Sequence, residues 1–340
     1  NIHGTLNKSN SGDEATSIYG LKVNGSSAGQ TGIATIGGAT TDSLVIDVKS
    51  DGEAIGVIAT GDALANIDAK NILIIASTSA IRNTSSFYAD FAGEVNVGSE
   101  VTDYLKLEAG TKYAVFNEKK GTVTVNAKSI ALVGGNLAGA SAVYNDSGNV
   151  DIGSDITELV SITASATRVK DATAAGLSTT GYGTTTVQGR NVSIRSEDTG
   201  VFTKQGTTSI TAEDTIEIVS TGEYGVLVQG NDESMSNPNQ RTTTKLSAKD
   251  IVVTAENGVG LGVFSYGKLD VDGNLDVRAE TAIDTRGNSE TNINTEGKDH
   301  TVNIVGDIVF ETPGAAQGSG SIVNSTVNLK LTNADSSWTG

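Results

Sequence analysis

Residues 121–144 read GTVTVNAKSIALVGGNLAGASAVY and contain three short segments in which apolar and polar residues alternate. The first segment is GTVTV, the second is AKSIAL and the third is SAVY. Alternation with a period of two is typical of β-strands, because successive side chains point to opposite faces. The glycine, asparagine and alanine residues between the segments suit turns and short connections. This stretch therefore predicts three short strands joined by turns.

The same three segments recur along the chain, the first of them mostly every 23 to 35 residues. Copies of the first segment lie at 93–97, 121–125, 148–152, 183–187, 206–210 and 267–271, with a degenerate copy at 241–246. Copies of the second lie at 69–74, 127–132, 189–194, 212–218 and 248–253, and copies of the third at 56–59, 141–144, 199–202, 224–228 and 259–263. One unit cannot bury its own apolar face, whereas stacked units share one core. The repeat predicts an all-β fold, a right-handed single-stranded parallel β-helix of roughly a dozen three-strand coils.

The composition suits a thin core, because aromatic residues make up only 4% of the chain and valine, isoleucine, leucine and alanine must fill it. Two other folds remain open. Disorder is suggested by the net charge of −17, but 37% of the residues are hydrophobic and they alternate. An antiparallel sandwich is suggested by the hairpin-type Asn-Gly pairs at 24–25 and 257–258, but the repeated order of the three segments argues against it.

The predicted organisation is a single domain, 1–340, with longer loops near 81–93, 168–183 and 229–244, where the repeat is extended. Binding residues concentrate in loops, and exposed aromatic rings stack on sugars or fill pockets in partners. Neutral loop insertions, and rings that only cap a local core, are the alternative interpretations. The candidate ligand-binding residues are Phe87, Tyr88, Phe91, Tyr182, Asn231 and Asp232.

The sequence predicts no catalytic residue, no metal and no cofactor. The absence of cysteine excludes disulfides and thiolate sites, and the only histidines are His3 and His300. The Gly-x-Ser-x-Gly match at 25–29 lacks the helix that a nucleophile elbow needs, and 270–276 lacks the spacing of a calcium loop. Most outward carboxylates are predicted to be solvated, although a pair on neighbouring coils stays open. These carboxylates are Asp151, Glu213, Asp214, Glu217, Asp250, Asp270 and Asp272.

The repeat style and the segment 329–340, LKLTNADSSWTG, resemble the passenger domains of bacterial autotransporters of the pertactin-like type, which carry an L…a-x-x-W-x-G coil near their end. In the alternative interpretation, Trp338 only caps a core. The resemblance implies a β-helix exported across the outer membrane to the bacterial surface by a C-terminal barrel. That barrel is absent from these residues, so contact with a membrane is expected only through it.

The sequence therefore predicts a surface adhesin that is not an enzyme. Its expected partners are a host-cell or bacterial surface protein or glycan, and a second copy of itself. Nucleic acid is excluded as a partner because like charges repel. A carbohydrate-active β-helix enzyme and an inert stalk that presents a distal domain remain the alternatives.

Overall fold

The computed structural model describes residues 2–6, 17–25, 31–85, 93–169, 173–230, 241–295, 299–310 and 319–331. These residues form strands and turns without any helix. All the strands belong to one 27-stranded sheet in which the paired strands are parallel. The predicted parallel β-helix is thereby confirmed.

The strands are named β1 to β27 in chain order. The first fourteen are β1 Ile2–Leu6, β2 Ile18–Asn24, β3 Gly32–Gly37, β4 Ser43–Ser50, β5 Ala54–Thr60, β6 Ala63–Asp68, β7 Asn71–Ala76, β8 Ser79–Thr84, β9 Glu94–Val97, β10 Tyr104–Ala109, β11 Val115–Glu118, β12 Thr122–Val125, β13 Ser129–Val133 and β14 Val143–Asp146. The others are β15 Asn149–Ile152, β16 Leu159–Ala164, β17 Ala175–Thr180, β18 Thr184–Ser196, β19 Thr199–Lys204, β20 Thr207–Ser220, β21 Tyr224–Gln229, β22 Thr243–Phe264, β23 Lys268–Arg286, β24 Glu290–Ile293, β25 His300–Phe310, β26 Ser319–Ile322 and β27 Ser325–Lys330.

The pairing places these strands in three columns, here called A, B and C, and the chain visits them in the order C, A, B. Each strand pairs with its counterpart one coil earlier and one coil later. Some long strands turn a corner and serve two or three columns, as β22 does. In the described residues, column A runs through 2–6, 43–50, 71–76, 104–109, 129–133, 159–164, 191–196, 215–220, 250–255, 274–279, 302–305 and 325–330.

The core is a column of stacked aliphatic side chains, which the alternation in the sequence predicts. In column A, one register position carries isoleucine, leucine or valine in ten successive coils, and all ten side chains are fully buried. Burying each of these side chains contributes about 1.5–3 kcal/mol. The residues are Ile46, Ile74, Leu107, Leu132, Ile162, Ile194, Ile218, Val253, Val277 and Ile304.

The corner between columns A and B admits only very small residues. An added Cβ at Gly200 would lie 2.4 Å from Cγ2 of Ile218 and 2.5 Å from the carbonyl oxygen of Gly225. Glycine or alanine therefore occupies this corner position in every described coil from β2 to β23. The residues are Gly20, Gly56, Ala80, Ala114, Ala142, Gly176, Gly200, Gly225, Gly260 and Ala282.

A ladder of buried amides lines the corner between columns B and C. Nδ2 of Asn83 donates to Oδ1 of Asn117 at 2.9 Å, and Nδ2 of Asn117 donates to Oδ1 of Asn145 at 3.0 Å. Each amide also donates to the carbonyl of the glycine that follows its own turn, at 2.8–2.9 Å. Because buried carbonyls without donors are costly, these amides stabilise the turn as well as the stacking.

Threonine hydroxyls continue the ladder toward the C-terminal coils. Nδ2 of Asn145 donates to Oγ1 of Thr185 at 3.1 Å, and a chain of hydroxyl–hydroxyl bonds of 2.7–2.9 Å follows. All of these hydroxyl-bearing side chains are fully buried. The ladder therefore runs unbroken through six successive B-to-C corners. The threonines in order of bonding are Thr185, Thr179, Thr208, Thr203 and Thr244.

Candidate functional site

The outer face of column B is the part of the surface that differs most from the rest. The main core column is filled by aliphatic side chains with the polar ladder at one corner, and Phe202 is buried in a separate small cluster with Ala175 and Leu227. Of the phenylalanine and tyrosine rings in the described residues, all but Tyr104 lie on column B strands or beside them. They are Tyr19, Tyr113, Phe116, Tyr144, Tyr182, Phe202, Tyr224, Phe264, Tyr266 and Phe310.

Three rings form one cluster on neighbouring coils. Phe116 and Tyr144 are register partners, and their rings stack with centroids 5.5 Å apart and an interplanar angle of 9°. The Tyr113 ring lies 5.0 Å from Phe116 and 5.5 Å from Tyr144. The Arg82 guanidinium covers the other face of Phe116 at 5.5 Å and bonds Glu53 at 2.8 Å. The cluster is therefore rigid and only half-buried.

A cleft of about 580 Å³ opens beside this cluster. Its floor is the outer face of three coils, formed by Tyr144, Ser178 and Phe202. The A-to-B connections build one wall, with Tyr113, Gly139, Arg168 and Thr173. The ends of the column B strands and the corner after them build the other wall, with Asp146, Thr180, Gly181, Lys204, Gln205 and Gln229.

The three charged side chains of the cleft lining, Arg168, Asp146 and Lys204, differ in their bonding partners. The Arg168 guanidinium is paired with the Glu223 carboxylate, outside the cleft lining. Oδ1 of Asp146 accepts hydrogen bonds from Oγ of Ser147 at 3.0 Å and from Oγ1 of Thr180 at 3.4 Å. Lys204 is exposed and forms no ion pair with any residue that the structure describes. The cleft thus combines an aromatic floor with one ammonium group that has no charged partner among the described residues.

Tyr182, a candidate binding residue from the sequence, stands at the rim of this cleft. It is 50% exposed and follows Gly181, which lines the cleft. Its φ of +69° is uncommon for a bulky residue, and its backbone N–H donates to the carbonyl of Gln205. Lys119, Ser147 and Gln205 have the same left-handed conformation at the corresponding corners of other coils, so this φ belongs to the turn. The structure places Tyr182 next to a residue of the cleft lining, and its role in binding stays a prediction.

The other candidate binding residues, Phe87, Tyr88, Phe91, Asn231 and Asp232, lie outside the described residues. The predicted loop at 168–183 contains strand β17 at 175–180. The remainder of that range includes Arg168, Thr173 and Gly181 of the cleft. The Gly-x-Ser-x-Gly match at 25–29 and Trp338 also fall wholly or mostly outside the described part of the chain.

Several of the carboxylates singled out in the sequence form ion pairs on the outer faces. Arg190 bonds Asp214 at 2.8 Å, and Arg195 bonds Glu217 at 2.6 Å. Within 270–276, Asp270 bonds Lys268 and Asp276 bonds Arg278, each as a local pair. No group of three or more histidine, aspartate or glutamate side chains in the described ranges is arranged to hold a metal ion. In those same ranges no helical segment is long and apolar enough to cross a bilayer.

One carboxylate pair on neighbouring coils went unrecognised in the sequence. Glu118 and Asp146 are register partners at the outer edge of column B, next to the aromatic cluster. Burial raises the pKa of the Glu118 carboxyl above its usual range, with a further rise from Asp146, while Arg82 and Lys119 oppose it. Glu118 and Asp146 are 28 positions apart along the chain, so no local pattern in the sequence indicates that they meet.

Replacing Glu118 with glutamine is expected to raise the unfolding temperature at about pH 7 and to have little effect at about pH 4. A carboxyl whose pKa is raised in the folded state stabilises the fold only while it is protonated. Its contribution is present at low pH and is lost as the pH rises through the folded-state pKa. Thermal unfolding at the two pH values measures the difference. Glu100→Gln, at an exposed turn, is the control, and an equal gain in both variants contradicts the assignment.

The chain was also compared with known proteins. Comparison with protein-family models, with curated proteins and with solved structures found no match. The function is therefore inferred from the fold and from the cleft of column B.

Proposed function

We propose that this chain is the surface-exposed part of a bacterial adhesin, resembling an autotransporter passenger domain, and that its ligand binds in the cleft of column B. The main observation in support of this site is the aromatic floor of Tyr144 and Phe202 beside the stacked Phe116 ring. Aromatic residues at the centre of a concave site dominate binding energy in many interfaces. Among the residues that the structure describes, Tyr104 is the one phenylalanine or tyrosine on the outer faces of columns A and C, so those faces offer no comparable anchor.

The remaining features of the chain agree with export and binding at a cell surface. A chain without cysteine crosses an oxidising compartment without forming disulfide crosslinks. The stacked coils make a rigid scaffold that holds the cleft walls at fixed positions. The expected partner is a protein or glycan on a host cell or a neighbouring bacterium.

Tyr144→Ala is expected to weaken attachment of the protein to target cells at least roughly tenfold, which corresponds to about 1.4 kcal/mol. The substitution removes the centre of the aromatic cluster and part of the cleft floor. Because Tyr144 points outward and is only half-buried, the fold is expected to survive. Fluorescently labelled protein on epithelial and bacterial cells, measured by flow cytometry over a concentration series, gives the apparent affinity.

Tyr104→Ala is the matched control, since Tyr104 is a 42% exposed tyrosine on column A, away from the cleft. Circular dichroism of both variants checks that the β-helix is intact. Equal attachment by wild type and Tyr144→Ala would rule out the cleft as the adhesive site.

A carbohydrate-active enzyme is the second candidate function, and the Glu118–Asp146 pair favours it. Neighbouring strands lie about 4.8 Å apart, which is close to the separation of the two carboxyl groups in retaining glycosidases. A raised pKa on one carboxyl suits a general acid. New reducing ends released from polysaccharides by the wild type, and absent with Asp146→Asn, would favour the enzyme over the adhesin.

A further inference from the structure

Several lysines without an ion pair to described residues lie around the cleft of this acidic protein. With a net charge of −17, the chain has many more carboxylates than basic side chains. In the described residues every arginine and several lysines are in ion pairs. Eight lysines form no ion pair with any described residue, and half of them lie on the coils that carry the aromatic cluster and the cleft. Those four are Lys112, Lys119, Lys120 and Lys204, and the other four are Lys22, Lys245, Lys249 and Lys330.

These lysines surround the aromatic floor on several sides. Lys204 lines the cleft itself, and Lys112 precedes Tyr113, which lines the opposite wall. Lys119 and Lys120 form the corner after β11, and their backbone N–H groups donate to the carbonyls of Asp146 and Ser147 at 2.8 Å. Ammonium groups placed together in this way attract anions, and the Glu118 and Asp146 carboxylates at the same edge of column B offset part of that field.

The cleft lining supplies several N–H donors that could bind an anionic ligand. The one carboxylate, Asp146, already accepts two hydrogen bonds. Lys204 contributes three N–H donors, and the side-chain amides of Gln205 and Gln229 contribute two each. The half-buried ring of Tyr144 offers a flat apolar surface between these donors. A pyranose sugar presents a complementary apolar face of C–H groups.

We propose that the cleft binds an acidic oligosaccharide, a chain of pyranose sugars that carries carboxylate or sulfate groups. A sugar ring stacks on Tyr144, and an anionic substituent accepts hydrogen bonds from Lys204 and from the amide of Gln205 or Gln229. The lysines at the β11 corner contact anionic groups further along the chain. This proposal rests on the proposed function, in that it names the ligand of the same cleft.

The test measures binding of labelled hexasaccharides to the intact protein by fluorescence anisotropy. Three probes have the same length: one of alternating uronic acid and N-acetylhexosamine units, its sulfated form, and its neutral form with every carboxylate reduced to an alcohol. The acidic probes are expected to bind at least roughly tenfold more tightly than the neutral one, and raising the salt from about 50 mM to about 500 mM is expected to remove most of that preference. The stronger of the two acidic probes identifies the anionic group.

Four variants locate the contacts. Lys204→Gln is expected to remove most of the preference for acidic probes, whereas Lys249→Gln, an exposed lysine without an ion pair to described residues on another part of the coil, leaves it unchanged. Tyr144→Ala is expected to weaken all three probes, and Tyr144→Phe, which keeps the ring, to bind like the wild type. Wild-type circular dichroism spectra in all four variants show that the fold is retained.

The outcomes separate this proposal from the proposed function. Equal affinity for the acidic and neutral probes, or an unchanged preference in Lys204→Gln, overturns the acidic ligand. Binding to none of the probes, while Tyr144→Ala still abolishes attachment to cells, also overturns it and leaves the adhesin intact. Tight binding of the acidic probes that depends on Lys204, without attachment to any cell, supports the ligand and overturns the adhesin.

Discussion

Asn117→Ala is expected to lower the free energy of unfolding by about 4 kcal/mol, because several buried groups lose their partners at once. Asn117 is fully buried, and its Nδ2 donates to the carbonyl of Gly121 at 2.9 Å and to Oδ1 of Asn145 at 3.0 Å. Its Oδ1 accepts from Nδ2 of Asn83 at 2.9 Å. Each buried polar group left unpaired costs about 1–3 kcal/mol. Equilibrium unfolding in guanidinium chloride measures the loss.

Asn96→Ala provides the comparison for this effect. Asn96 also bonds an asparagine of the preceding coil, Asn66, at 3.0 Å, but it lies on the outer face of column C, where it is only partly buried. Water replaces the lost bond there, so the cost is expected to stay below about 1 kcal/mol. If the two substitutions cost the same, the internal ladder does not stabilise the stacking in the way inferred from its geometry.

Gly200→Val is expected to destabilise the protein by about 3 kcal/mol or more, since the corner between columns A and B has no room for a branched side chain. The first added carbon alone would lie 2.4 Å from Cγ2 of Ile218. It would also lie 2.5 Å from the carbonyl oxygen of Gly225, a backbone atom that moves only if the next coil moves. The midpoint of denaturant unfolding and the yield of folded protein both report the effect.

The matched substitution is Ser209→Val, which introduces the same valine side chain on the outer face of column C in the adjoining coil. Solvent lies outside that face, so a change within about 0.5 kcal/mol is expected. A comparable loss in both variants would mean that valine disturbs the strands generally and that the corner is not crowded.

Much of the fold could be predicted because the repeat and the alternation are local properties of the chain. The segments around Val123, Ile130 and Val143 lie on β12, β13 and β14, one in each column, as their order in the sequence predicts. The small residues that open the third segment, Ala142 and Gly200 among them, were visible as part of the motif. The sequence did not show why these residues must be small, because the atoms that exclude a larger side chain belong to the next strand and the next coil.

The candidate site was harder to predict, because loop length was used to locate it. Loop length led to Tyr182 at the rim of the cleft, but not to Tyr144, Phe202 or Lys204. Each of these residues occupies an ordinary outward position of a regular strand, and they are far apart in the sequence. The Asn83–Asn117–Asn145 ladder was missed for a related reason, because asparagine in a short polar segment also suits a solvent-exposed turn.

The sequence by itself determined the three-strand coil, the inward aliphatic positions and the acidic, cysteine-free character of this protein, since periodicity and composition are written into neighbouring residues. Only the tertiary structure decided which side chains meet. The stacking of coils brings residues about 25 to 35 positions apart into contact, and the number of residues in each connection sets which pairs come into register. The stacked rings of Phe116 and Tyr144, the Glu118–Asp146 pair and the lysine-rimmed cleft all depend on that register.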